Sequence, residues 1–423
     1  MAPHLATTRG VRHVQIRFPA RVHRQRPPRT EEAGPLRAAL LMAGSCLPVL
    51  GAVLIAPVLP KMQEHFAAVP GAKTLVPVVL TVPALALALL APFAGVIVDR
   101  LGRVRLLVVA TVVYALLGTA PLWLDSLGAI VISRVLVGIT EAAIMTCCTT
   151  LIGDYYSGRQ RNRYLALQTM CSSISATAFF VIGGAAGSAG WRAPFWIYAV
   201  GLLLAPAMAA TLAKPRRGGV AAIKEPMGEK KSFPVRRLAG ICVLTMFGAT
   251  VFYTVPVEMS YLLDDLGVKS TSFIGLATAV ASAATVAGSI VFTKLRGNAA
   301  GRLPLIFALC AAGFVVIAFA SSPTVVITGA VLNCLGTGMM LPSLLTIAMS
   351  KLDYADRGRG TGLWTAAFFV GEFICPLALI PLESATGSLA HAVGLLGLAS
   401  AALTAGGLLL SRRRPETPLG EAV

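Results

Sequence analysis

Twelve stretches of this chain are apolar for about 20 residues each, the length a helix needs to cross a hydrocarbon core about 30 Å thick. They run over 38–60, 75–98, 104–124, 128–151, 164–188, 193–213, 238–261, 272–293, 303–321, 324–349, 360–382 and 390–411. A backbone crossing lipid must satisfy its own hydrogen bonds, so each stretch is expected to be a helix. Charged residues make up 13% of the chain, about half the share of a soluble domain. The fold class that follows is an all-α integral membrane protein with twelve transmembrane helices.

The net charge of +18 would suggest nucleic acid in a soluble protein. Its placement gives a different reason. If both ends of the chain lie on one side, 31 of the 36 basic residues fall on that side, and the others are Lys61, Lys73, Arg134, Arg192 and Lys269. By the positive-inside rule both termini are expected in the cytoplasm, with the chain multi-pass in a plasma (inner) membrane. The partner of the basic excess is then the lipid bilayer, and nucleic acid is not expected. All eight cysteines lie inside the predicted spans and no CxxC occurs, so they read as packing residues and no metal site is indicated.

Residues 1–36 carry seven arginines, with only Glu31 and Glu32 as acids. A transit peptide or an overextended start would have such a composition. Lack of an amphipathic period and the Pro27-Pro28 interruption favour a disordered basic cytoplasmic tail. The expected organisation is that tail, a six-helix bundle over 37–213, a cytoplasmic linker over 214–237 holding eight Lys/Arg, a second six-helix bundle over 238–411, and a cytoplasmic tail over 412–423. The halves read as a repeat: Gly102-Arg103 recurs as Gly301-Arg302 and Asp154-Tyr155 as Asp353-Tyr354, both at an offset of 199, and at that offset Asp99 becomes Asn298.

Between the second and third spans stands Gly95-Val-Ile-Val-Asp99-Arg100-Leu-Gly102-Arg103-Val-Arg105. Its apolar flanks end at Val98 and resume at Val104, which predicts a tight turn. Gly95 is expected to permit close helix approach, Gly102 to take positive φ, and the arginines to stay at the water interface. This stretch resembles the signature loop of the major facilitator superfamily, Gly-x-x-x-Asp-Arg-x-Gly-Arg, with Val104 where a basic residue is common. The resemblance implies two six-helix pseudo-repeats rocking about a midplane site, a cavity lined by helices 1, 4, 7 and 10, and a cytoplasmic gate that here comprises Asp99, Arg100, Gly102, Arg103 and Asp154. Within that superfamily it resembles the drug/proton antiporters. The fifth span departs from them: their Gly-Pro-x-x-Gly-Gly is Phe179-Phe-Val-Ile-Gly183-Gly184 here.

An ionisable group within a span is costly, which marks it for function. Three are deep. Arg134 and Glu141 lie seven residues apart in the fourth span, on nearly one helical face with Gly138 between, and Glu372 lies in the eleventh. Counting about 1.5 Å per residue places both glutamates roughly 16–18 Å into the bilayer, near its middle. An arginine followed four later by glycine resembles the superfamily motif tied to proton transfer. Glu141, Arg134 and Glu372 are therefore expected to couple protons, with a static ion pair holding the fourth helix to a neighbour as the alternative for Arg134 and Glu141, and a hydrogen bond across to the second helix as the alternative for Glu372. Gln168, Ser172, Trp364, Phe368 and Asn333 are the expected substrate-cavity residues. Glu258, some 20 residues into the seventh span, is expected at the outer surface and solvated.

The reading is a transporter of a small-molecule substrate, driven by protons, working as a monomer and exporting an amphipathic organic compound by alternating access. A symporter or facilitator importing a metabolite is the alternative, and a transporter-like receptor a rival of another class. No enzyme is expected, because no paired catalytic cluster stands in the spans. No cofactor is expected either, since no GxxxxGK[ST] loop exists to hold a nucleotide.

Overall fold

A computed structural model describes residues 34–212, 235–295, 298–353 and 356–412. Most of the terminal tails and of the 214–237 linker lies outside these residues. Twelve helices among them are long and apolar enough to cross a membrane: α1 (Pro35–His65), α2 (Ala72–Leu90), α3 (Arg103–Leu122), α4 (Leu127–Tyr155), α5 (Gly158–Ala189), α6 (Ala193–Thr211), α7 (Val235–Asp265), α8 (Thr271–Lys294), α9 (Ala299–Ala318), α10 (Pro323–Ser350), α11 (Arg357–Thr386) and α12 (Leu389–Leu409). The protein is a multi-pass, all-helical membrane protein.

Local sequence sets where the helices begin and break. Ser126 and Ser270 cap α4 and α8, their hydroxyls accepting from the amides of Ala129 and Phe273. Helix α1 is interrupted after Val53 and resumes through a 3-10 turn at Ala56–Val58, where Pro57 has no N–H to give. The predicted second span, 75–98, is two pieces. Helix α2 ends at Leu90, and a separate short helix, Ala94–Leu101, follows the break at Pro92, whose ring would clash with the carbonyl four residues back. The tight turn therefore shrinks to Gly102, at φ +85°. Gly95 makes no close approach: a Cβ built there meets nothing within 4 Å. Helix α5 begins six residues before its predicted start, because Arg159, Arg161 and Arg163 hide its first turns from a hydropathy reading.

The helix pairings repeat along the chain. Helix α4 packs on α1, α2 and α3, α3 also on α6, and α1 also on α5; the same contacts recur as α10 on α7, α8 and α9, α9 on α12, and α7 on α11. Two long seams join the first six helices to the last six, α5 against α8 and α2 against α11. At the α5–α8 seam a Cβ on Gly184 would stand 2.8 Å from Gly275 Cα, and one on Gly275 would stand 2.9 Å from Gly184 Cα. Backbones this close need glycine on both sides. That contact lies at the end away from Gly102. The same end is tied by Lys73 Nζ to Glu383 Oε1 at 2.8 Å, between α2 and α11.

Within the first six helices, Gly138 on α4 is pressed against α2, where an added Cβ would lie 2.5 Å from Pro83 O and 2.6 Å from its Cα. Gly138→Ala is expected to cost about 1–3 kcal/mol by overpacking and to lower the midpoint of thermal unfolding in detergent. Gly95→Ala, with open space around it, is the control and should not lower it.

Candidate functional site

Arg134 is fully buried in α4. Its guanidinium donates to backbone carbonyls of two neighbours, Nη2 to Gly51 O on α1 at 2.8 Å and Nε to Val79 O on α2 at 3.3 Å. The plane lies 5.1 Å from the centroid of the Tyr198 ring on α6, a cation–π contact. One arginine thus gathers four helices. Nη1 has no hydrogen-bond partner among the described residues, and no ion pair forms with Glu141. Helix α4 is held to its neighbours by guanidinium-to-carbonyl bonds, so the static ion-pair alternative is not the arrangement seen.

Two turns on, the Glu141 carboxylate rests against Gly51, where any side chain on α1 would collide with it. Arg134 and Glu141 therefore both meet one residue, the first at its carbonyl and the second at its Cα. Glu141 Oε1 is buried and also lacks a partner among the described residues.

Glu141 opens onto a cavity of about 320 Å³ that Glu372 faces from α11. Eight helices line it: α2, α5, α8 and α11 join the expected α1, α4, α7 and α10, and α10 supplies only Cys334. Tyr253 crosses from α7 to donate its hydroxyl to Ala52 O on α1 at 2.5 Å. It ties the two sets of helices beside the cavity. Nothing in the sequence pattern singled out Tyr253 or Tyr198, for which a tyrosine deep within a span was the available signal; Gly51 was legible as one of the small residues, with Ser45, Pro48 and Pro57, of a broken first span suited to lining a cavity.

The expected cavity residues divide. Ser172 lines the wall. Gln168 is outside it, its amide donating to Ser45 Oγ at 2.7 Å and Thr149 Oγ1 at 3.1 Å, so that it laces α5 to α1 and α4. Trp364 stacks on Phe368 with centroids 5.9 Å apart, and Phe368 in turn backs onto the lining rings Phe252 and Phe369. Asn333 lies behind the wall, wholly buried where α10 meets α9, with neither amide atom hydrogen-bonded among the described residues.

At the end bearing Gly102, Arg103 donates to Asp99 Oδ1 from Nη2 at 2.7 Å and from Nε at 3.2 Å, and its Nη1 pairs with Asp154 at the end of α4. Arg100 and Asp99 are exposed. All these residues belong to the first six helices, so the cluster fixes the short helix and α3 to α4. In the second copy Arg302 turns instead to the carbonyls of Phe292 and Leu295, while Asn298 caps α9. The lost carboxylate has become a helix cap.

Glu258 corrects the sequence reading. It is 5% exposed, not solvated. Position along a helix measures depth but not lateral cover, and here α1 and α8 pack over that end of α7. Beyond it a wide vestibule between α1 and α7 carries Lys61, Lys73, Lys269, Asp264 and Asp265. The Asp264 carboxylate, 2.8 Å from Lys269 Nζ, holds that ammonium above the ordinary lysine range.

A profile of the Major Facilitator Superfamily matches residues 41–376, and the chain belongs to that family. It is 27% identical over 359 residues to the tetracycline resistance protein, class C, of Escherichia coli, covering 81% of this chain and 88% of that one. With the class G protein of Vibrio anguillarum it shares 26% over 363 residues, covering 82% and 90%. Among solved structures it resembles a bacterial homologue of the human lysosomal transporter Spinster, inward-facing and occupied, with TM-score 0.69 at 18% identity over 90% of this chain and 97% of that one. A D-xylose–proton symporter superposes with TM-score 0.70 at 15% identity, over 87% and 96%. The chain is a transporter of this superfamily.

Lysine at 134 offers one ammonium that cannot span both carbonyls or lie flat on Tyr198. Arg134→Lys is expected to cost about 1–3 kcal/mol, the scale of a charge-assisted hydrogen bond, as a lower unfolding midpoint in detergent. Lys73→Ala, at an exposed ion pair, should change it by under about 1 kcal/mol.

Proposed function

We propose that the protein is a proton-coupled exporter of small amphipathic organic compounds. The observation that carries this reading is the meeting of Glu141 and Glu372 in one largely apolar cavity at the junction of eight helices. Buried carboxyls near the middle of a membrane are costly as charges and suited to taking and releasing protons. Apolar walls suit the body of an amphipathic cargo. Export is supported by the likeness to tetracycline resistance proteins over most of their length.

In the proposed cycle the end bearing the termini faces the cytoplasm, as the distribution of Lys and Arg indicates. The contacts Gly184–Gly275, Tyr253–Ala52 and Lys73–Glu383 then close the outer side. Substrate enters from the inner side as Glu141 gives up its proton. Rocking of the two bundles exposes the cavity outward, and protonation of Glu141 releases the cargo. Arg134 holds the α1–α4 contact against which that carboxylate sits. The cytoplasmic cluster around Arg103 would steady the inner ends of α3 and α4 during the movement.

The test is proton movement in sealed proteoliposomes with an internal pH dye, as tetracycline and a panel of cationic, neutral and anionic amphipaths are added. Substrate-dependent proton flux is expected, in the sense of exchange, and is expected to fall at least about tenfold in Glu141→Gln, the usual scale for losing a proton-transfer group. Unchanged flux in that variant would remove the proton role. Flux of proton and compound in the same direction would favour import.

A further inference from the structure

The cavity wall contains two acids and, among the described residues, no base. The two acids are not equivalent. Behind Glu141 stands Arg134, whose positive charge reaches it even though two of its nitrogens are bonded to Gly51 and Val79. Glu372 has no such neighbour. Helix α7 brings to it the Tyr253 hydroxyl, already donated to Ala52 O, and its own helix brings the Cys375 thiol, 3.7 Å from Thr254 Oγ1. Helix α10 brings Cys334. The nearest helices otherwise carry, toward the vestibule end, Lys73 on α2 engaged by Glu383, the buried Glu258 with Asp264 and Asp265 on α7, and His391 on α12, and at the opposite end Arg236 and Arg237 on α7 with Arg357 and Arg359 on α11. Among the described residues the one other carboxyl facing that cavity is Glu141.

The remaining wall explains what such a carboxyl is for. Phe252, Tyr253 and Phe369 present rings around the space, and aromatic faces attract cations where water is excluded. We propose that the cargo is an organic cation with a compact apolar body, sized to about 320 Å³, and that Glu372 is its counter-ion. This rests on the reading that the cavity is the transport site. In the empty cavity the Glu372 carboxyl is neutral, since a lone buried charge is costly. As the cation enters, the carboxyl O–H bond breaks and the proton leaves to water, so that a carboxylate and a cation replace a neutral acid. At Glu372 the charge of the loaded site equals that of the empty one, and the carboxylate that Glu141 becomes on loading leaves the wall negative. An anion would add to the negative charge of the wall and is refused.

The experiment uses the purified full chain in weakly buffered detergent, titrated with benzyltrimethylammonium, whose fixed charge cannot itself supply a proton. The expected result is binding with release of about one proton per cation from Glu372 beside the one that Glu141 gives up, and affinity that rises with pH, about tenfold per unit for each proton exchanged. Benzyl alcohol and phenylacetate should release none. Glu372→Gln should lose at least about tenfold in cation affinity together with about one of the protons released, and Glu372→Asp should keep both. In wild-type protein, benzyltrimethylammonium but not benzyl alcohol should protect Glu372 from modification by dicyclohexylcarbodiimide, located by mass spectrometry, so the proposal can be decided even if a variant does not fold. Cation and phenylacetate binding alike, proton release undiminished in Glu372→Gln, or absence of protection would each overturn it. No gradient is involved, so the two readings fail separately. Cation binding without coupled flux would sink proton-driven export alone, and coupled flux with uncharged compounds alone would sink the cationic cargo.

Discussion

A guanidinium cannot remain in the middle of a membrane bundle without acceptors, and Arg134 takes them from the backbone itself. Its bonds to Gly51 O and Val79 O, and its contact with Tyr198, require α1, α2, α4 and α6 to converge at one level. Lipid supplies no hydrogen bonds, so these carbonyls replace the water that the guanidinium has lost. Everything near the cavity follows from that convergence. Gly51 is fixed where its carbonyl meets the arginine and its missing side chain makes room for Glu141. Gly138 must lie flat on Pro83 so that α4 can reach α2 at all. The carboxylate is thereby delivered to the cavity wall by the same helix that carries the arginine.

Against this fixed centre the junction with the second six helices is made of small residues and long-range polar ties. Glycines at 184 and 275 bring α5 and α8 into backbone contact, and Tyr253 reaches across to Ala52. Such contacts have little side-chain volume to rearrange. They suit a seam that separates and closes as a unit, as the proposed alternating access requires. The hydrogen-bonded helices around Arg134 and the glycine seam of α5 and α8 both border the same cavity.

The fold was legible because hydropathy over about 20 residues reports a bilayer crossing almost directly. Arg134, Glu141 and Glu372 were legible for a related reason, since a charge within an apolar run stands out on rarity alone. What escaped depends on partners distant in sequence. Lys73 and Glu383 are 310 residues apart, and neither carries a local sign of the other. Gln168 looks like a substrate ligand in a helical projection, but the side chains of Ser45 and Thr149 claim its amide. Glu258 was misread because depth along α7 says nothing about what packs beside it. The break at Pro92 was hidden by apolar residues on both sides, which a hydropathy window averages across.

The account turns on whether buried carboxyls in the cavity hold exchangeable protons, and isotope-edited infrared difference spectroscopy observes this directly. With glutamate side chains labelled, the reconstituted protein should show the C=O stretch of buried protonated carboxylic acid, part of which is lost in Glu141→Gln and which changes when transported substrate is added. A spectrum with only ionised carboxylate bands at every pH where the protein is folded, unaltered by substrate and identical in Glu141→Gln, would contradict the account.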